Sequence, residues 1–176
     1  MDHTLDALTY VTKLKGAFMG CDIHWHSETK KDGQWECDQA ASFAIEDEGT
    51  PDAYVSMDDF PDRGRDYWLF GLLQPGVRST WDWSFPERDA PDDLSSEVKQ
   101  RIESYGQDGH SHGYVTRAEL QAKLEELRIK RAEHLIMPSS DTEALHHHIS
   151  RINQLLSDLN ADVPDTDQRI VFWFDN

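Results

Sequence analysis

Near the start of the chain, apolar and polar residues alternate with a period of two. From Phe18 to Ser27, Cys21, Ile23 and Trp25 fall on one side of an extended strand. Asp22, His24 and His26 fall on the other. Lys30-Lys31-Asp32-Gly33 follows, and Asp-Gly supplies the positive φ angles that a tight hairpin turn needs. Gln34–Asp38 is then the predicted return arm. At the far end, Ile170-Val-Phe-Trp-Phe174 is an unbroken apolar run after Arg169. Such a run predicts a strand buried on both faces, central in the same sheet as the hairpin.

Helical spacing dominates between these ends. Asp66–Gln74 predicts a short buried helix stopped by Pro75-Gly76. Leu94–Tyr105 predicts a second, with Val98 and Ile102 four apart and Gly106 closing it. Thr116 followed by Glu119 is a capping-box pattern and opens a third, with Leu120, Leu124 and Leu127 as its apolar stripe. Ser140 followed by Glu143 opens a fourth, whose stripe runs from Leu145 through Ile149, Ile152 and Leu155 to Leu159. The short link between the last two predicts an antiparallel αα-hairpin. Residues 39–65 and the aromatic segment 78–93, with Trp81, Trp83 and Phe85, read as loops. Residues 1–18 read as an N-terminal extension with a short amphipathic helix. Residues 19–176 read as one α+β domain, a small, mostly antiparallel sheet covered by helices.

Composition narrows the function. The chain has 176 residues, a length that fits one such domain. Its longest apolar run, Tyr67–Leu73, is far short of the ~20 residues a membrane span requires, so no membrane partner is expected. The first residues lack a signal-peptide pattern, and two cysteines, Cys21 and Cys37, read as reduced thiols. Seventeen basic residues against 34 acidic give a formal net charge of −17. Duplex nucleic acid is bound by neutralising phosphates with Lys and Arg, so this chain would be repelled on average. An acidic surface suits a basic protein partner instead.

The strongest chemical signal is Asp22-x-His24-x-His26. Alternate strand residues share a side, and their side chains can converge on one ion. Gly109-His110-Ser111-His112-Gly113 repeats the His-x-His spacing in a predicted loop, with glycines that let backbone approach a ligand. Asp22, His24, His110 and His112 together would make a nitrogen–oxygen set suited to Zn, Mn, Fe or Ni. Arg78, beside the Pro-Gly break, is the expected phosphate contact. Asp175, at the end of the last strand, is a spare ligand or base. The run His146-His147-His148 lies within a helix and reads as a solvated face.

Met19-Gly-Cys-Asp-Ile-His24, Tyr67-x-Leu-Phe-Gly-Leu-Leu73 leading into Val77-Arg78, His110-Ser-His112 and the closing Arg169–Asn176 carry a resemblance. Over about residues 19–176 the chain resembles a family of proteins from tailed bacteriophages and prophages. That family begins at the methionine matching Met19, and its pattern includes His24 but not His26. The resemblance implies a phage protein acting in the host cytoplasm. The expected function is metal binding, with metal-dependent hydrolysis of a phosphoester in a phosphorylated small molecule, nucleotide-derived. The alternative is a non-enzymatic counter-defence protein that sequesters a nucleotide signal or binds a host protein through its acidic surface. The pattern also admits a homo-oligomer.

Overall fold

A computed structural model describes residues 22–38, 66–77, 79–136 and 141–175. The predicted lead-in helix, Cys21, Arg78 and Ser140 lie outside the described residues. The elements are β1 (Asp22–Lys31), β2 (Gln34–Cys37), α1 (Tyr67–Leu73), α2 (Ser96–Tyr105), β3 (His110–Thr116), α3 (Arg117–Ile136), α4 (Thr142–Ser157) and β4 (Gln168–Asp175). The fold is α+β, with one four-stranded antiparallel sheet ordered β2-β1-β4-β3.

The apolar tail is a central strand, as its pattern predicts. Gln168 through Phe174 are all buried. Ile170, Phe172 and Phe174 face the main core, where they cluster with Ile23, with Leu69, Phe70, Leu72 and Leu73 of α1, and with the stripes of α3 and α4. The Phe70 ring meets Phe174 edge-on, with centroids 5.1 Å apart. Val171, on the opposite face, packs with Cys37 and Val98, and α2 covers this side together with Leu94 and Ile102. Burial on both faces explains why the run has no polar alternation.

The hairpin turn is the predicted one, with Asp32 at φ 51° and Gly33 at φ 85°. The return arm is the expected one, while the first arm runs past the expected end at Ser27. A two-residue turn makes Lys31 and Gln34 the closing pair, so β1 runs on to Lys31. Only Glu28–Lys31 pairs with β2, while Asp22–Thr29 pairs with β4.

The segment expected to be a loop at 109–113 is instead, from His110 onward, the start of edge strand β3. A central strand exposes a row of amide and carbonyl groups on each side, and β3 satisfies one of those rows. Its polar, glycine-flanked sequence hides this role. The register shifts between His110 and Gly113, with Ser111 at φ 50°, which is a β-bulge. Gly113 admits the ring of Phe172: a Cβ there would stand 2.7 Å from Phe172 Cζ.

The helix starts follow local hydrogen bonding. Ser95 caps α2, its hydroxyl accepting from the Val98 amide. At α3 the Thr116 amide donates to Glu119 Oε2 at 2.8 Å and the Glu119 amide donates to Thr116 Oγ1 at 3.2 Å, so the capping box is formed. α3 and α4 pack on each other through their leucine and isoleucine stripes. The connection between them, 137–140, is outside the described residues.

The His146–His148 run is not a uniformly solvated face. His148 is fully buried. Trp83 Nε1 donates to its Nδ1 at 3.0 Å, and its Nε2 faces the Trp68 carbonyl at 3.0 Å. The first bond makes Nδ1 an acceptor, so the proton is on Nε2, where it is donated to Trp68. His147 lies 2.9 Å from Asp66, the N-cap of α1, and Arg151 donates to the same carboxylate. Burial would raise the Asp66 carboxyl, but the Leu69 amide, His147 and Arg151 outweigh it and hold it below the usual carboxylate range.

Candidate functional site

Strand alternation puts Asp22, His24, His26 and Glu28 on the sheet face opposite Ile23. Across β4 their partners on that face are Asp175, Trp173, Val171 and Arg169. One end of this face is an internal ion pair, Glu28 with Arg169. The other end gathers Asp22, His24 and Asp175.

Asp22 stands directly opposite Asp175 in the register. His24 Nε2 lies 3.2 Å from Asp175 Oδ1, and this contact with the carboxylate works to raise the His24 pKa. The other nitrogen, Nδ1, is 3.1 Å from the Tyr105 hydroxyl. The His24 ring stacks on Trp173 at 5.6 Å and lies 4.5 Å from the Tyr105 ring. Burial holds the His24 pKa below its ordinary value, while Asp175 and Asp22 pull it upward.

His26, next along the same face, is more deeply set. Burial, with Arg101 and His24 nearby, pushes its pKa down to about 3. It is neutral at physiological pH, and its ring lies 5.4 Å from Trp173.

The bulge in β3 separates the two histidines of the His-x-His pattern. His110 is the register partner of Phe174 and its ring stacks on that side chain, on the face of the main core. His112 falls on the other face. A Cβ on Gly109 would stand 2.9 Å from Tyr105 Cβ and 3.7 Å from both His112 Nε2 and Trp173 Cδ1, so these three side chains meet around Gly109. Burial lowers the His112 pKa, with His110 adding to the effect and Asp89 opposing it.

The structure therefore brings His24 and Asp175 together, with Asp22 and His112 on the same face, and leaves His110 on the other. Arg78 lies outside the described residues. Among the described residues, no three His, Cys, Asp or Glu side chains converge as an ion-holding group. Two donor atoms are nevertheless suitably spaced. Ligand atoms about 2.1 Å from one ion and separated as His24 Nε2 and Asp175 Oδ1 are would subtend about 100° at it, between octahedral and tetrahedral geometry.

Sequence pattern does not mark Tyr105, Arg101 or Trp173 as site residues. Tyr105 ends α2 just before Gly106, and Trp173 is hidden in an apolar run. A faint signal exists: a helix ending in Tyr-Gly only five residues before His110 must bring its last turn to the edge of β3. No family model, curated protein or solved structure matches the chain. Among the described residues, no helix is long and apolar enough to cross a membrane.

Proposed function

We propose that this chain is a phage-encoded metal-dependent phosphoester hydrolase, acting on a phosphorylated small molecule in the host cytoplasm. The observation that carries the reading is the pairing of His24 Nε2 with a carboxylate oxygen of Asp175 3.2 Å away, both side chains mostly buried. A nitrogen lone pair and a carboxylate oxygen at that separation are two donors for one cation. His24 and Asp175 would hold the ion, and Asp22 and His112 lie on the same face. A bound Zn, Mn, Fe or Ni ion would supply an activated water and polarise the phosphoryl group. Trp173 and Tyr105 wall the site and keep bulk water from His24. Arg101 supplies positive charge, lowering the pKa of both His24 and His26.

The test is metal content of tag-free protein by mass spectrometry, with turnover on a panel of phosphomonoesters, phosphodiesters and nucleotides. About one equivalent of metal, lost together with turnover in His24→Ala, supports the reading. Metal-free protein that takes up none of the four ions overturns it.

A second reading is a binding protein without turnover. It is favoured by the small exposure of His24 and Asp175, 14% and 23%, and by the net charge of −17. Metal-loaded protein inactive across the panel would favour this second reading.

A further inference from the structure

We infer that His148 is a proton-operated latch: neutral, it holds the Trp83 indole against α1 and α4, and a second proton releases that indole while the sheet stays folded. The directions of its two hydrogen bonds are fixed by chemistry. An indole N–H only donates and a carbonyl only accepts, so the Trp83 bond occupies the Nδ1 lone pair and the Trp68 bond uses the Nε2 proton. Only the neutral ring satisfies both. A second proton must go to Nδ1, where it points at the Trp83 hydrogen across 3.0 Å. Two donors then face each other in a fully buried place, and moving the indole away relieves the conflict.

The charged groups around the latch do little to favour the second proton. On α4 itself, His147 and Arg151 are basic. At the N-cap of α1, the Asp66 carboxylate is already shared by the Leu69 amide, His147 and Arg151. From α3, the Lys130 ammonium stands 6.0 Å from the Trp83 ring centre. Asp82, between the two tryptophans, is exposed. Burial, aided by His147 and opposed by the Trp68 carbonyl and Asp66, sets the His148 pKa at about 4. What moves is limited. Trp83 stacks on Trp81 with rings 17° from parallel, and Trp81 meets His148 edge-on at 5.3 Å. The backbone beneath is tied to α1 without His148: Ser84 Oγ donates to the Gly71 carbonyl and the Phe85 amide to the Leu72 carbonyl. None of these bonds involves the sheet. The released face is therefore the indole pair, with or without a metal at His24.

The test is an acid titration of the full, nitrogen-15-labelled chain. It follows the Trp83 indole N–H signal, assigned by its absence in Trp83→Phe, and the backbone amide signals of β4. At about pH 7 the His148 ring should carry its proton on Nε2. At about pH 3.5 roughly three-quarters of the molecules carry the second proton, and in that fraction the Trp83 signal should lose its hydrogen-bonded position while the β4 signals stay. His148→Gln should keep the Trp83 signal in place over the same range, because an amide accepts and donates without binding a proton. A His148 ring protonated on Nδ1 alone at about pH 7 overturns the inference, and this needs no variant to fold. So does a Trp83 signal that stays put in the wild type, or one that moves equally in His148→Gln. Loss of the β4 signals at the same midpoint overturns it as well, since the chain is then unfolding rather than releasing one side chain.

Discussion

Glu28 and Arg169 face each other across β1 and β4, with Arg169 Nε donating to Glu28 Oε2 at 2.7 Å and both side chains buried. The pair is the hub of a wider network. Glu28 Oε1 accepts from the Ser95 amide at 2.8 Å, at the N-cap of α2. Arg169 also donates to Asp93 and lies over the Trp35 ring at 3.9 Å. Removing Glu28 leaves the buried Arg169 with only the exposed Asp93 as an ionic partner and takes the acceptor from the Ser95 amide. Glu28→Ala should therefore cost about 3–5 kcal/mol, the range for breaking a buried pair. The double replacement Glu28→Leu with Arg169→Met should recover much of this. Urea unfolding measures both, and a Glu28→Ala loss under about 1 kcal/mol would contradict this account.

His148 should make stability fall as the solution is acidified. Burial lowers its pKa from 6.5 to about 4, with the Trp68 carbonyl opposing the shift. Between those values the unfolded chain binds the proton and the folded chain does not. The contribution is thus complete above 6.5 and is lost as pH falls toward about 4. Between about pH 7 and pH 5 the loss from this residue should be about 2 kcal/mol. Urea unfolding of wild type and His148→Gln at the two pH values checks it: the variant should be less stable at the higher pH and lose less on acidification. His26 acts in the same direction, so wild type retains a second source of slope.

Gly71 lies inside α1 where the following segment crosses it. A Cβ there would stand 2.7 Å from the Ser79 carbonyl oxygen, with the Ser79 hydroxyl closer still. Alanine normally favours a helix over glycine, but here it would have to displace backbone. Gly71→Ala should destabilise by about 1–3 kcal/mol, as overpacking does. A thermal midpoint equal to or above that of the wild type would contradict it.

The bulge at Ser111 makes the two histidines of β3 unequal. His110→Ala should leave metal content unchanged, because that ring packs on Phe174 on the far face of the sheet. His24→Ala should remove the metal. Elemental analysis of the purified variants decides, and equal loss from both would mean that the bulge does not divide them.

The sequence by itself determined the elements whose causes are local. Asp32-Gly33 encodes the hairpin turn, Thr116 and Glu119 encode the start of α3, and the apolar run to Phe174 encodes a doubly buried strand. Asp22 and His24 share a face because strand alternation requires it. Other features depend on contacts far apart in the chain. Tyr105 meets His24 across 81 positions, and Trp83 meets His148 across 65. No spacing rule links such residues; they come together only when α2 covers the sheet and when the aromatic segment packs against α4. The separation of His110 from His112 was likewise hidden. A period of two predicts one face for both, and only pairing with β4, which forces an extra residue into β3, moves them apart.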